Sequence, residues 1–232
     1  MFKLNGTTSM KKQIRFQILA ILIVSSTSSY TQTLGVKAGL NLSNFFVKDD
    51  HETYSEDYKW KTGIHVGAIA EFPLSNLVSF ETGLLLSTKG HREMAEDSFL
   101  SEPIKLKAST MLYYLEIPIK AKLSIPAGKI KFYGSLGPYI GFGIYGKSKS
   151  ELTLNGQTEK EEEDISWGSN EEDDHLRRLD LGLTVAAGIE LKSIQLGLNY
   201  NLGLANISAY RDEGATIKNK VIGISLAYRF VK

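Results

Sequence analysis

Apolar residues alternate with small, polar or charged residues along most of the chain after residue 33. The clearest case is 179–191, whose odd positions are all apolar, followed by 194–204, whose even positions are all apolar. A period of two residues is typical of a β-strand with one apolar face. The dipeptide Lys192-Ser193 separates the two segments and predicts a tight turn, so the stretch is predicted to form a β-hairpin.

The same alternation recurs in eight segments. Their approximate limits are 34–46, 61–72, 77–89, 108–123, 130–146, 177–191, 194–205 and 219–230. Short breaks rich in Pro, Gly, Asn and Ser alternate with long ones, which are 47–60, 90–107, 147–176 and 206–218. Short turns at one end and long loops at the other predict an antiparallel up-and-down meander with both termini on the short-turn side.

Two kinds of eight-stranded barrel fit this pattern. A soluble, lipocalin-like barrel turns its apolar face inward around a ligand, whereas a membrane barrel turns it outward into lipid and fills its interior with polar side chains. Alternation does not distinguish them, because both kinds alternate. The composition of the two faces does.

The polar face is rich in glycine and carries charges of both signs. Glycine weakens a strand that faces water, but a crowded lumen needs small residues. Charges buried in a lumen must also pair, because an unpaired buried charge is very costly. We therefore predict a luminal network of ion pairs formed by Lys37, Lys120, Lys122, Lys131, Arg178 and Arg229 with Glu71, Glu81, Glu116, Asp180 and Glu190.

The apolar face carries no charge, and aromatic residues gather near the ends of its strands. Aromatic girdles at both interfaces are typical of membrane barrels. The predicted girdle comprises Trp60, Phe72, Phe132, Tyr228 and Phe230, with Phe45, Phe46 and Tyr58 at the long-loop end. Together these features favour an all-β, eight-stranded antiparallel up-and-down transmembrane β-barrel, and leave the lipocalin-like binder as the weaker alternative.

The N-terminus has the layout of a secretory signal peptide. A basic start in 10–15 precedes a short apolar stretch at 18–24, and small polar residues follow. The apolar stretch is too short for a spanning helix, which makes an uncleaved anchor the weaker reading. We predict a signal peptide over 1–31, with Met10 as a possible true start, and an exported barrel domain over 32–232.

Five stretches resemble the porin-like, PorT-related family of outer-membrane β-barrels. They are LGVKAGLNLSNF (34–45), YLEIPIKAKL (114–123), FYGSLGPYIGFG (132–143), LDLGLTVAAGIEL (179–191) and GISLAYRF (223–230). The resemblance implies a small barrel in the outer membrane of a Gram-negative cell envelope, assembled by the barrel-assembly machinery through an aromatic near the C-terminus. Here Val231 and Lys232 follow Phe230, so that signal is displaced. The family does not imply a particular activity.

Composition excludes several other functions. A net charge of +1 gives no support for a nucleic-acid partner, and the absence of cysteine excludes disulfides and thiolate metal sites. His175, beside Asp173 and Asp174 with Ser166 and Ser169 nearby, is the one cluster with catalytic residue types. It shows no orienting group and no nucleophile in reach, so we expect no catalysis and no cofactor.

The loop 147–176 is strongly acidic, with ten Asp or Glu residues against three lysines. Oxygen ligands suit Ca²⁺ or Mg²⁺, but the stretch lacks the fixed spacing and turn glycine of a defined site. We therefore expect simple solvation of the acidic loop and no metal site.

Pro118 lies inside a predicted strand, where it would remove a ladder hydrogen bond, so we predict a bulge there.

Eight strands enclose a filled core, whereas open aqueous channels come with about 16. We therefore expect a plugged polar lumen and a structural or interaction role at the cell envelope. The expected partners are membrane lipids, lipopolysaccharide, the assembly machinery, and a surface or envelope protein met through the four long loops. The alternatives are a narrow porin-like passage for solutes and a component of a secretion system.

Overall fold

The computed structural model describes most of the chain after the predicted signal peptide. The described residues are 32–50, 58–99, 102–154, 157–171, 173–210 and 214–230. The signal peptide predicted over 1–31 lies outside them. No helix in these ranges is long and apolar enough to cross a membrane.

Nine strands form one antiparallel sheet. They are β1 (Thr33–Lys48), β2 (Tyr58–Pro73), β3 (Val78–Phe99), β4 (Glu102–Ala127), β5 (Ile130–Leu154), β6 (Gln157–Asp164), β7 (Leu179–Leu191), β8 (Ile194–Gly203) and β9 (Thr216–Phe230). Eight of them close a ring, in which each strand pairs with its neighbour and β9 pairs with β1. The remaining strand, β6, pairs only with the upper part of β5. The eight-stranded barrel is thus confirmed.

The barrel has a turn end and a loop end. At the turn end, short connections join β2 to β3, β4 to β5 and β7 to β8, and Leu34 of β1 lies opposite Phe230 of β9. The long connections all lie at the other end. Both described termini are therefore on the turn end, which faces the periplasm in outer-membrane barrels.

The apolar positions of the strands point away from the barrel axis. In the hairpin formed by β7 and β8, Leu183 is 41% exposed and Leu198 is 59% exposed, whereas Thr184 and Asn201, which point to the other face, are buried. Such a face is stable in lipid rather than in water. This outward face overturns the lipocalin-like alternative, which requires the same leucines to line the interior.

Two of the predicted loops are wrong in detail. The stretch 90–107 is mostly strand, because β3 and β4 continue pairing as far as Phe99 and Glu102. Much of 147–176 is also strand, because β5 runs to Leu154 and returns as β6. These extensions keep the apolar alternation only briefly, at Ile104 and Leu106 on β4 and at Leu152 and Leu154 on β5. They rise beyond the lipid-facing belt, where neither face of the sheet needs a continuous apolar surface.

The predicted bulge at Pro118 is also wrong. No register shift occurs at Pro118, whose carbonyl accepts a hydrogen bond from the Thr82 hydroxyl at 2.7 Å. The shift lies between Tyr113 and Tyr114 on β4, where β5 carries Ile144 as an extra residue. Beyond this point the inward positions of β5 change from odd to even numbers, so Gly143 and Gly146 both face inward.

Gly188 shows how closely neighbouring strands approach inside the barrel. A Cβ at this position would meet the Leu196 carbonyl oxygen, with the Gly197 Cα at 2.7 Å. Neither backbone group can move without distorting the sheet. We expect Gly188→Ala to lower the free energy of unfolding by about 1–3 kcal/mol, the usual cost of overpacking.

Gly134 is the matched control for this substitution. It lies on the outward side of β5, and no heavy atom lies within 4 Å of its added Cβ. Gly134→Ala should leave the urea midpoint of the barrel in phospholipid vesicles unchanged or slightly raised. Equal midpoints for the two variants would contradict the close approach at Gly188.

Candidate functional site: the closed lumen and the outer mouth

Glu81 is the centre of a buried ion-pair cluster in the lower half of the lumen. Its Oε1 lies 3.3 Å from the Lys37 ammonium and 2.6 Å from the Lys120 ammonium. Its Oε2 lies 3.7 Å from the Lys122 ammonium. Neighbouring strands supply these side chains, because alternate residues of β1, β3 and β4 point to the axis.

Lys122 links this cluster to the turn end. Its ammonium pairs with Glu190 and lies 2.9 Å from Glu71 Oε2. The Arg229 guanidinium pairs with the same two carboxylates, at 3.1 Å from each, and donates to the Lys192 carbonyl oxygen at 3.2 Å. The bottom of the lumen is thus closed by shared ion pairs from four different strands.

A second cluster lies higher in the lumen, around Lys89. Its fully buried ammonium lies 2.9 Å from both Glu116 Oε2 and Asp180 Oδ2. The Tyr139 hydroxyl donates to Asp180 Oδ2 at 3.2 Å, and the Asn219 amide donates to it at 2.9 Å. Lys89 is shared between two acids, and these two hydrogen bonds add to the stabilisation of Asp180 Oδ2. Asp180 Oδ1 is buried and has no hydrogen-bond partner among the described residues.

Nine of the eleven residues predicted for the luminal network take part in these ion pairs. Lys131 does not, because it lies near the start of β5, exposed at the turn-end mouth. Arg178 does not either, because it precedes β7 and is exposed. Its guanidinium donates to the Gly143 carbonyl oxygen and lies 5.9 Å from the Phe142 ring on the outer face.

Lys89 is the member that sequence reasoning missed. With Lys89 the described ion pairs join five cations, Lys37, Lys89, Lys120, Lys122 and Arg229, to five acids, Glu71, Glu81, Glu116, Asp180 and Glu190. A signal was available, because Lys89 has the same odd parity as Glu81 on β3. Lys89 is absent from the predicted network because it is the last residue of the predicted segment 77–89.

Above the charged clusters the lumen is filled by apolar side chains, which we call the apolar plug. Its buried members are Phe45, Leu112, Tyr114, Leu176 and Ile207, and Trp167 and Ile217 pack against them. Placing Phe45 in the lipid-facing girdle was wrong, because its ring is 3% exposed and lies 4.6 Å from the His91 ring. The chain segment after β6 supplies Trp167 and Leu176 by folding back into the barrel.

The other girdle residues lie on or near the outer surface. Trp60 is 45% exposed towards the loop end, and Phe132 is 53% exposed at the turn end. Phe72 is half-buried against the Phe80 ring at 6.0 Å, while the Tyr228 and Phe230 rings meet edge to face at 5.5 Å. The side chain of Tyr58 lies outside the described residues.

The His175 cluster is a structural turn. The His175 Nδ1 accepts a hydrogen bond from the Ser166 backbone N–H at 3.0 Å, and its Nε2 lies 3.8 Å from Glu163 Oε1. Asp173 and Asp174 accept hydrogen bonds from the side chain and backbone of Asn170. Among the described residues, only the backbone N–H of Ser166 is hydrogen-bonded to the imidazole, and no hydrogen bond joins Ser166 Oγ or Ser169 to it. Within the described ranges no group of three or more His, Asp or Glu side chains has the geometry of a metal site.

The acidic stretch of β6 is paired with cations on one side. Glu162 accepts from Lys147 at 2.9 Å and pairs with Lys149, and Lys160 donates to Glu151 at 2.7 Å. The two lysines lower the pKa of the Glu162 carboxyl to about 2 by hydrogen bonding to its charged form. The acidic loop is therefore a β-hairpin with internal charge pairing over 147–164.

Residues 28–209 match a family model described as an outer membrane protein beta-barrel domain. The chain belongs to this family. It is therefore an outer-membrane β-barrel protein, as the outward apolar face and the closed strand ring require. No curated protein matches the chain.

Several solved outer-membrane proteins are similar to this barrel in fold. The attachment invasion locus protein Ail of Yersinia pestis is 16% identical, with 85% of this chain and 98% of that chain covered and a TM-score of 0.33. Neisserial surface protein A is 11% identical, with coverages of 85% and 97% and a TM-score of 0.37. OprG of Pseudomonas aeruginosa is 12% identical, with coverages of 88% and 98% and a TM-score of 0.37.

Proposed function

We propose that this outer-membrane barrel is a non-conducting, non-catalytic anchor that presents an extracellular β-sheet and loops to partners at the cell surface. The observation that carries the proposal is the double closure of the lumen. Ion pairs among ten charged residues fill its lower part, and the apolar plug fills the part above them. An eight-stranded barrel has room for packed side chains and little else.

The space left in the lumen supports this reading. The cavity between the two charged clusters, lined by Lys37, His65, Glu116 and Lys120 among others, measures only about 30 Å³. That volume matches one or two water molecules. A continuous solute path would require the ion pairs on both sides of it to separate, which leaves charges buried without partners.

The experiment is conductance of the purified full chain in planar bilayers. We expect no stable, reproducible single-channel steps, because the lumen is closed at two levels. A sixteen-stranded porin inserted in the same lipid provides the control for insertion and detection. Reproducible steps from the barrel would contradict the proposal and favour the narrow porin-like passage.

The interaction role rests on the part of the barrel beyond the lipid-facing belt. Here β3, β4, β5 and β6 form a four-stranded sheet, in which β5 continues from Lys147 to Leu154 for roughly 25 Å of extended chain. All eight residues of β6 are exposed. A stiff, charged sheet of this kind is suited to contact lipopolysaccharide or a surface protein.

A secretion-system role is the second candidate. It rests on the stretches 34–45 and 114–123, which resemble PorT-related barrels and lie in β1 and β4, with β2 and β3 between them in the ring. Affinity purification after cross-linking in intact cells distinguishes the two roles. Recovery of envelope proteins of an export apparatus on the periplasmic side would favour secretion, and recovery of surface components would favour the anchor.

A further inference from the structure

The closed barrel leaves a cavity of about 550 Å³ at the extracellular mouth that the luminal network does not use. It lies directly above the apolar plug. Its walls include Phe45 and Leu176 of the plug, and Val47, Ile165 and Ile217 from the surrounding strands and the start of the returning loop. Apolar walls of this extent, with a few polar groups at the edge, are typical of small-molecule sites.

The cavity differs in kind from the lumen beneath it. The luminal space of about 30 Å³ is enclosed by charged and amide groups, whereas this cavity is nearly twenty times larger and mainly apolar. A volume of 300–1,000 Å³ is the usual range for sites that take small organic molecules. A flat aromatic body the size of naphthalene fits within it.

The polar edge of the cavity is acidic. It carries the carboxylates of Asp49, Glu163 and Asp174, against the single ammonium of Lys48. Asp174 is held in place, because its Oδ2 accepts a hydrogen bond from the Asn170 backbone N–H at 2.9 Å. The imidazoles of His91 and His175 also line the cavity, and His175 Nε2 lies 3.8 Å from Glu163 Oε1. Three carboxylates against one ammonium group nevertheless favour a cationic ligand group at the edge over an anionic one.

We propose that the extracellular mouth binds small cationic amphiphiles, meaning molecules with an aromatic or aliphatic body and one ammonium group. The body lies against Phe45, Leu176 and Ile217, and the ammonium group lies towards Glu163 and Asp174. Burial of the body supplies most of the affinity, because the Glu163 side chain is 69% exposed and an exposed ion pair contributes little.

The experiment is isothermal titration of the full chain in phosphatidylcholine nanodiscs with three matched probes. These are 1-naphthylmethylamine, 1-naphthylmethanol and 1-naphthoate, which share the aromatic body and differ in charge. Empty nanodiscs of the same lipid correct for partitioning. We expect saturable 1:1 binding of the amine, about threefold to fivefold weaker binding of the alcohol, and binding of the carboxylate that is weaker again by a similar factor.

Two variants locate the site. Ala215 lines the cavity, so the indole of Ala215→Trp should occupy part of it and weaken saturable binding of both amine and alcohol. Glu163→Gln should weaken the amine by about threefold and leave the alcohol unchanged. The matched control is Glu161→Gln, because Glu161 lies two residues away on the same side of β6 and does not line the cavity.

Three results would overturn the proposal: no saturable heat with the amine beyond that of empty nanodiscs, equal affinity for the carboxylate, or equal effects of Glu161→Gln and Glu163→Gln. An unchanged affinity of Ala215→Trp for both amine and alcohol would place the probes elsewhere and also overturn it. The heat-modifiable shift on a gel shows that each variant is folded before titration. All of these substitutions lie outside the luminal network, so a failure to bind does not bear on the closed lumen.

Discussion

Replacing Lys89 with methionine is expected to lower the free energy of unfolding by about 3–5 kcal/mol. The substitution keeps the length and apolar stem of the side chain but removes the ammonium group that Glu116 and Asp180 share at 2.9 Å. Both carboxylates then lie buried without a cation. The measurement is the urea midpoint of refolding into phospholipid vesicles, read from the heat-modifiable shift.

Lys149→Met is the matched control. Lys149 also pairs with a carboxylate, that of Glu162, but both side chains are about half exposed to solvent. An exposed pair contributes at most about 1 kcal/mol. The two lysine variants should therefore differ by several kcal/mol, and similar midpoints would contradict the central role of Lys89 in the lumen.

A triple variant separates the loss of an ion pair from the loss of packing. Lys89→Met combined with Glu116→Gln and Asp180→Asn removes the cation and both anions while keeping similar volumes. Because no uncompensated charge remains, most of the lost stability should return. A triple variant as unstable as Lys89→Met alone would show that the methionine itself does not fit among Tyr114 and Tyr139.

The eight strands of the ring, their order and the direction of the apolar face could be predicted from the sequence because each depends on a repeated local pattern. Apolar residues such as Leu183 and Leu198 occupy every second position of their strands, and all of these positions must face lipid. The short turns could be predicted for the same reason, since Lys192-Ser193 interrupts the alternation. Register then follows, because a slip by one residue would turn a charged face to the lipid.

The apolar plug could not be predicted, because its members come from outside the alternating pattern or conflict with it. Leu176 and Ile207 lie in connections between strands, and Leu112 lies inward at the loop end of β4. Their burial depends on how the connections fold back into the barrel mouth. That arrangement is set by long-range packing and cannot be predicted from a local period of two residues.

The extracellular strands were missed for a related reason. Residues Gln157–Asp164 are entirely exposed, so they need no apolar face to form a strand. Their pairing with β5 is stabilised by backbone hydrogen bonds and by cross-strand pairs such as Lys147 with Glu162. A single sequence does not show this pairing, so the run of acidic residues was predicted to be a solvated loop.

A charge placed on the outward face of β8 tests directly whether that face meets lipid. Leu198 lies near the middle of that strand, is 59% exposed, and lies opposite Ala187 on one side and Ile224 on the other. An arginine there must lie in the hydrocarbon core near the midplane. We expect Leu198→Arg to lower the free energy of unfolding in vesicles by about 2–4 kcal/mol.

Ile194→Arg provides the matched control, because Ile194 points outward from the same strand and is 49% exposed. It lies at the turn end, directly after Lys192-Ser193, where an arginine side chain reaches the headgroups. Its cost should be about 0–1 kcal/mol. Both variants place an arginine on the same face of the same strand, so their losses in the free energy of unfolding differ only through depth in the bilayer. Equal losses would mean that the leucine face does not meet lipid.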